Sequence, residues 1–397
     1  MAECRVLSPR WLQGFGGGPV GFVDHTTLCF ASGCFVRFVD TQSHKWFFFK
    51  GPETGINTLA SSVKSNRFAI ADCGLHPTIR VFSYPHFQCS AILKGGAELE
   101  ISFLSFSYTG PYLASFSGLP DFSLCVWDWM NCTLLCCHSL HGVNLLGLTF
   151  NPSNWKQLFT IGDRHMSIWS VEQSDNVYLL RSRPVSLPSE DGKEVIDEDV
   201  VLPGRHDTML GLSVPNLPVS ARAGLIGEVA KRFVPRNFSK QLLRPCSFCW
   251  TSASQLFVGC REGHLLQIDC NGDSFTISPL FPGPPGSEET LQPGHVNALA
   301  LQKLGLFAGG TDGKLHQLII QSSEVKVHVC GDVGSSISSL VFGEDHEKLA
   351  ITTERGSIHM YSTLYSSSVE VVLDMHSTAP FISVDTLAPD NTYCIVS

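Results

Sequence analysis

The stretch Leu124-Cys-Val-Trp-Asp-Trp129 decides the reading of this chain, because looser copies of it return at a nearly fixed interval. Upstream it is matched by RFVD at Arg37–Asp40 and IRVF at Ile79–Phe82, and downstream by MSIW at Met166–Trp169. LLQID at Leu265–Asp269, KLHQL at Lys314–Leu318 and SIHMY at Ser357–Tyr361 continue the series. The anchors Phe38, Phe82, Trp127 and Trp169 lie 44, 45 and 42 residues apart. A gap of 99 leads to Ile268, and spacings of 50 and 43 reach Leu318 and Tyr361. A period of about 43 residues ending in an apolar, aromatic-rich strand is that of propeller blades, each four short strands long.

The repeats share one internal order. In the third, Ile101–Phe106 opens the blade, Tyr112–Ser115 follows a turn, Ser123–Trp127 is the anchor strand, and Thr133–His138 lies outermost. The fourth, sixth and seventh repeats parse the same way, with the period-two alternation of half-buried strands. Gly313 and Gly356 stand just before anchor strands, where a tight hairpin needs permissive dihedrals. Trp127-Asp128 is a blade-closing dipeptide, and only the third repeat keeps it strictly. The expected fold is therefore all-β, a WD40-like β-propeller of about seven repeats plus a partial eighth. Phe38, Phe82, Trp127, Asp128, Trp169, Ile268, Leu318 and Tyr361 are its expected structural anchors.

The long interval between Trp169 and Ile268 marks an insertion. Residues 182–244 are punctuated by Pro184, Pro188, Pro203, Pro215, Pro218 and Pro235, with an acidic knot at Glu190–Asp199 and a weakly periodic stretch, Leu217–Val229, that allows a short helix. A basic run, Lys231, Arg232, Arg236, Lys240 and Arg244, follows. Two readings stand: a solvated loop bridging blades 4 and 5, or a docking insertion, since long loops on rigid scaffolds often carry function. On the second reading Arg232, Arg236 and Lys240 are the candidate partner-binding residues, suited to an acidic partner. The organisation is then an N-terminal arm (1–18), blades 1–4 (19–181), a Pro-rich insertion (182–244), blades 5–7 (245–376), and 377–397 as a partial blade or the start of a truncated second propeller. The half repeat at the end is what a truncated product of a longer protein would show.

Composition narrows the function classes. Hydrophobic residues make up 43% and charged residues 16% of the 397, below the roughly 25% charged residues of an average soluble domain, which fits many buried strands. The formal net charge of −9 gives no global attraction to nucleic acid or anionic lipid. No signal-peptide stretch or run of about 18 apolar residues is present, so an intracellular chain without membrane insertion is expected. The 15 cysteines are scattered, and those in strand-like runs, such as Cys125, Cys136 and Cys394, read as small buried hydrophobes.

Chemistry leaves few marks. Cys246-Ser-Phe-Cys249 with Cys260 and His264 is the nearest approach to zinc spacing, but structural zinc wants two well-spaced ligand pairs. His165, His264, His316 and His359 sit at or beside anchor strands and read as packed side chains. Nucleophile-elbow, HExxH and phosphate-loop motifs are missing, and Gly14–Gly18 follows no strand. No catalytic residue, metal, cofactor or small-molecule substrate is expected.

Several longer segments carry a resemblance. Ser8-Pro-Arg-Trp-Leu-Gln-Gly-Phe15, Phe103–Ser115, Ser117–Phe122, Leu148-Thr-Phe-Asn-Pro-Ser-Asn-Trp-Lys-Gln-Leu158, Arg183–Pro188 and Gly259–Leu266 are similar to the WD-repeat cilia- and flagella-associated proteins. The resemblance covers essentially the whole chain. It implies a non-catalytic scaffold of the axoneme in motile cilia and sperm flagella. There it would act with a paralogue of the same family, in a tether between an inner-arm dynein head and the doublet microtubule. The resembled family carries an N-terminal pair of propellers and long coiled coils, whereas this chain has about one propeller and no coiled-coil segment. It therefore matches an N-terminal propeller region or a short isoform. A propeller adaptor for a ubiquitin ligase or a trafficking coat is the competing function, and an enzyme on a propeller the third.

Overall fold

Alternating apolar strands joined by short Gly-, Asn- and Asp-containing turns fold back on themselves as antiparallel hairpins. In the computed structural model, residues 17–397 are described except 141, 164, 176, 189–242, 271–274, 282–290, 304, 322–323, 365–368, 374–382, 387–392 and 397. Every regular element among the described residues is a strand.

Blade 1 comprises β1 (Val20–Phe22), β2 (Thr27–Ser32), β3 (Phe35–Asp40) and β4 (Trp46–Lys50), and blade 2 β5 (Ile56–Ser62), β6 (Arg67–Asp72), β7 (Ile79–Ser83) and β8 (Cys89–Leu93). Blade 3 holds β9 (Ile101–Phe106), β10 (Tyr112–Ser117), β11 (Ser123–Asp128) and β12 (Thr133–Ser139), and blade 4 β13 (Leu145–Asn151), β14 (Asn154–Gly162), β15 (Met166–Ser174) and β16 (Val177–Val185). Blade 5 holds β17 (Pro245–Trp250), β18 (Gln255–Cys260), β19 (Leu265–Asp269) and β20 (Thr276–Phe281). Blade 6 holds β21 (Ala298–Gln302), β22 (Gly305–Gly309), β23 (Lys314–Gln321) and β24 (Glu324–Asp332), and blade 7 β25 (Ile337–Phe342), β26 (Lys348–Thr353), β27 (Ile358–Ser362) and β28 (Val369–Leu373). Within each sheet the strands neighbour one another in chain order. The first strand of each blade lies at the axis against the first strands of its neighbours.

The core is divided into seven wedges, each a cluster of buried residues shared by two consecutive blades. One wedge sets Val20, Phe22, Leu28, Phe30 and Val39 of blade 1 against Ala350, Ile358 and Met360 of blade 7, closing the ring. Among the described residues blades 1 and 7 keep separate sheets and exchange no strand, so the ring closes by packing and by side-chain contacts such as Lys348 Nζ to Thr41 Oγ1 at 2.9 Å. The half repeat forms its own sheet of two, in which β29 (Ser383–Thr386) pairs with β30 (Tyr393–Val396).

Six anchors take equivalent places. Phe82, Trp127, Trp169, Ile268, Leu318 and Tyr361 each point from the third strand of a blade into the wedge shared with the preceding blade. Phe38 is fully buried but points forward, into the wedge with blade 2. The equivalent position in blade 1 belongs to Val39, which faces blade 7. Side chains alternate across a strand, so a shift of one residue exchanges the two faces.

Candidate binding surface

The anchor strand does two tasks in blade 3. The indole Nε1 of Trp127 donates to Ser115 Oγ at 2.8 Å, tying β11 to β10 inside the wedge. Asp128, half-buried at the strand end, turns outward; its Oδ1 accepts the backbone N–H groups of Met130 and Asn131 at 3.1 and 3.0 Å and fixes the turn into β12. Asp40 holds the matching turn of blade 1 through Gln42 and Ser43. Its carboxyl lies below the ordinary range, chiefly because of the Ser43 backbone N–H. In blade 4, Trp169 Nε1 donates to Thr160 Oγ1 at 2.9 Å. Gly313 and Gly356 have φ of +71° and +80°, the left-handed region that both turns were expected to need.

The sequence-level zinc candidates do not converge. Cys246 stands at a bulge at the start of β17, its Sγ 3.4 and 3.5 Å from the carbonyl oxygens of Gly259 and Val296, and joins no cluster of metal ligands among the described residues. Cys249 packs in the wedge between blades 5 and 6 and Cys260 in that between blades 4 and 5. Burial pushes the thiols of Cys249 and Cys260 up, and that of Cys246 up to about 11, which disfavours the thiolate a metal needs.

A different trio gathers in blade 6. His316 Nε2 lies 2.7 Å from Asp312 Oδ2 and His295 Nε2 lies 3.7 Å from it, with the imidazole rings stacked at 5.3 Å. His295 Nδ1 accepts the Gln292 N–H at 3.2 Å, so its proton sits on Nε2 facing the carboxylate. That tautomer ties turn to strand and leaves Nε2 unsuited to a cation. A Gly-His pair before a blade, with Asp in the next turn, was the sequence signal for this cluster. Of the other histidines, His359 is buried with Ser357 Oγ at 2.8 Å, and burial lowers the pKa of His165.

Binding surface is what the ring offers most. A cavity of about 830 Å³ runs along the axis, lined by first strands and the turns that follow them. Its lining has one carboxylate, Glu344, and one histidine, His346, among the described residues. Beside it, a groove of about 400 Å³ between blades 2 and 3 holds Tyr108 and Met130, which are 58% and 63% exposed. Arg67 lies over the Trp129 ring there at 4.9 Å. On the opposite edge Leu75, Leu99 and Leu119 are exposed. The loops that carry them are joined by His76 N–H to Glu98 O and Glu98 N–H to Asp121 Oδ2, both at 2.7 Å.

That edge also carries the insertion. The expected boundary at Ser182 falls inside β16, which continues to Val185 because Ser182–Val185 pair with β15. Leu187 and Leu243 are buried in the wedge between blades 4 and 5, and Leu243 N–H donates to Pro188 O at 3.1 Å. The segment therefore leaves and returns at one point. Arg244 clamps that point to the turn of blade 5: its Nε is 2.8 Å from Glu262 Oε1 and its backbone N–H 2.9 Å from Oε2. Burial raises the Glu262 pKa, but these bonds outweigh it and leave it below the ordinary range. Arg232, Arg236 and Lys240, the stretch Leu217–Val229 and most of the N-terminal arm lie outside the described residues.

No protein-family model matches the chain. It is 36% identical over 392 residues to cilia- and flagella-associated protein 43 of Xenopus laevis, which covers 98% of this chain and 24% of that protein. The mouse protein of that name is also 36% identical, over 375 residues, 93% of this chain and 22% of its own length. The chain thus spans about a quarter of the length of these relatives. Mouse cilia- and flagella-associated protein 44 matches 38% of the chain at 27% identity. Among solved structures, the β-propeller domain of Myceliophteria thermophila Cps50 (Swd1) superposes with a TM-score of 0.53 over 80% of this chain and 85% of its own, at 15% identity. A chain of the mitotic checkpoint complex does so with a TM-score of 0.56 over 91% and 96%, at 10% identity. These likenesses establish the propeller fold. The near-complete sequence match to relatives named for cilia and flagella places the chain in the family of cilia- and flagella-associated protein 43.

Proposed function

We propose that this chain is a non-catalytic WD-repeat scaffold of motile cilia and sperm flagella. It supports axoneme organisation and beating as part of a tether between an inner-arm dynein head and the doublet microtubule. Its partner is cilia- and flagella-associated protein 44. The reading is carried by the match to cilia- and flagella-associated protein 43 over 98% of the chain. The geometry supports a binding role: polar hydrogen bonds are spent on fixing turns and wedges, while apolar side chains stand exposed on both edges of the ring. The insertion, hung from a clamped base on the edge of the inter-blade connections, is read as a docking segment, with Arg232, Arg236 and Lys240 meeting an acidic partner.

A tagged chain expressed in differentiating multiciliated cells tests this. It should stay in the motile cilia after detergent removes the membrane, together with protein 44. A folded chain that washes out of the cilium completely would overturn the proposal. Replacing residues 189–242 by a short Gly-Ser linker should leave melting unchanged and weaken retention. Undiminished retention would remove the docking role.

A further inference from the structure

In blade 3 the strands β11 and β12 run antiparallel with Cys125 opposite Cys137. Directly opposed residues hold their Cα atoms about 4.5–5.5 Å apart, inside the span that a disulfide bridges. The two Sγ atoms lie 2.8 Å apart, closer than unbonded sulfurs normally rest, and both are thiols. The pleat selects this pair: the adjacent Cys136 points the other way, into the wedge between blades 3 and 4.

The two sulfurs differ in access. Cys137 is exposed on the outermost strand, whereas Cys125 is buried in the cluster that holds Trp127. The hydrogen bond from Cys125 outweighs partial burial and, with help from Ser123, pushes the Cys137 thiol down to about 7. The same bond, with burial, pushes Cys125 up. One sulfur is thus open and ionisable, and the other is protonated behind it.

We propose that Cys125 and Cys137 form a reversible thiol–disulfide site that hydroperoxides oxidise. The Cys137 thiolate attacks the terminal oxygen of the peroxide; the O–O bond breaks, leaving a sulfenic acid and releasing hydroxide from hydrogen peroxide or an alkoxide from an organic hydroperoxide. The Cys125 sulfur then attacks the sulfenic sulfur, the S–O bond breaks, and the departing hydroxide takes the Cys125 proton and leaves as water. Two electrons pass from the thiol pair to the peroxide. A dithiol reductant reverses the bond by thiol–disulfide exchange. The bond joins the outer strands of blade 3 beside the wedge that carries Trp127.

The test uses the full chain, hydrogen peroxide at neutral pH, alkylation of remaining thiols, and mass spectrometry of a chymotryptic digest. Trp127 and Trp129 lie between the two cysteines, so cleavage there separates them. The expected product is a Cys125–Cys137 linked peptide pair that dithiothreitol releases. The exposed Cys89 and Cys132 serve as references within the same chain. The hydrogen bond from Cys125 favours the thiolate of Cys137, so iodoacetamide at pH 7 should label Cys137 severalfold faster than either reference. Cys125→Ser should stop the reaction at a sulfenic acid on Cys137 that dimedone traps. Cys137→Ser, at an exposed position, should keep the fold and abolish the linked peptide. A folded chain in which Cys89 or Cys132 oxidises first, or in which Cys137 links to Cys136 or Cys132, would overturn the proposal.

Discussion

Between blades 1 and 2, Phe38, Phe47, Phe49, Phe68, Phe82 and Phe87 stack edge-to-face and face-to-face, with Phe38–Phe47 centroids at 4.9 Å and Phe49–Phe82 at 4.8 Å. Between blades 2 and 3, Trp127, 2% exposed, shares its cluster with Phe106 and Trp129 and with the smaller Ala69, Ala71, Ile79 and Val81. The first wedge is filled by many rings and has no buried hydrogen bond at its anchor. The second has fewer rings, and the most buried of them, the Trp127 indole, is held by Ser115. Both wedges occupy the same place in the ring. The repeat is therefore a constraint on volume between twisted sheets, and the Trp-Asp motif is one of several ways to meet it.

The largest effect should come where a tethered indole packs among small neighbours. Trp127→Ala should cost about 3–5 kcal/mol, read as a lowered urea midpoint, because small neighbours cannot collapse into the space. Phe38→Ala should fall toward about 3 kcal/mol, since the surrounding rings can shift into part of the void. Equal losses at the two positions would show that the wedges do not differ in how far they relax. Ser115→Ala comes next: it leaves the buried indole N–H without its acceptor, at about 1–3 kcal/mol. The same change in a Trp127→Phe background should cost much less. An unchanged cost there would mean that Ser115 acts through packing rather than through the indole.

The smallest effect lies at the base of the insertion. The Glu262 carboxyl is held below its ordinary range, so the stability it gives is present above its unfolded pKa and is lost as pH falls through the folded value. The protection factors of the Leu243 and Arg261 amides, whose N–H groups close that base, should fall on acidification below about pH 4 in the native chain. Glu262→Gln should remove that pH dependence. If the variant keeps it, another group clamps the insertion.

Much of this was legible before any coordinates. The strand grammar of the third repeat matches β9 to β12 within two residues at each end, because alternation and turn residues are local signals. Phe38 and Val39 show the limit. Two adjacent apolar residues leave the face ambiguous, and only pairing of Phe38 with Cys29 and Val39 with Leu28 assigns them. Leu187 and Leu243, buried at the base of the insertion, carry no such local signal, since nothing in their neighbourhood shows that the chain ends meet. The thiol pair was equally hidden. Cys125 read correctly as a buried residue, but its partner depends on the register of β11 against β12, which a bulge after Val126 shifts.

The central claim is that this ring is a binding scaffold of the ciliary motility machinery. Proximity labelling with the tagged chain in differentiating multiciliated cells or spermatids tests it most directly. The account predicts recovery of inner-arm dynein subunits, protein 44 and other tether components. Recovery of ubiquitin-ligase or coat subunits, without axonemal proteins, would contradict it.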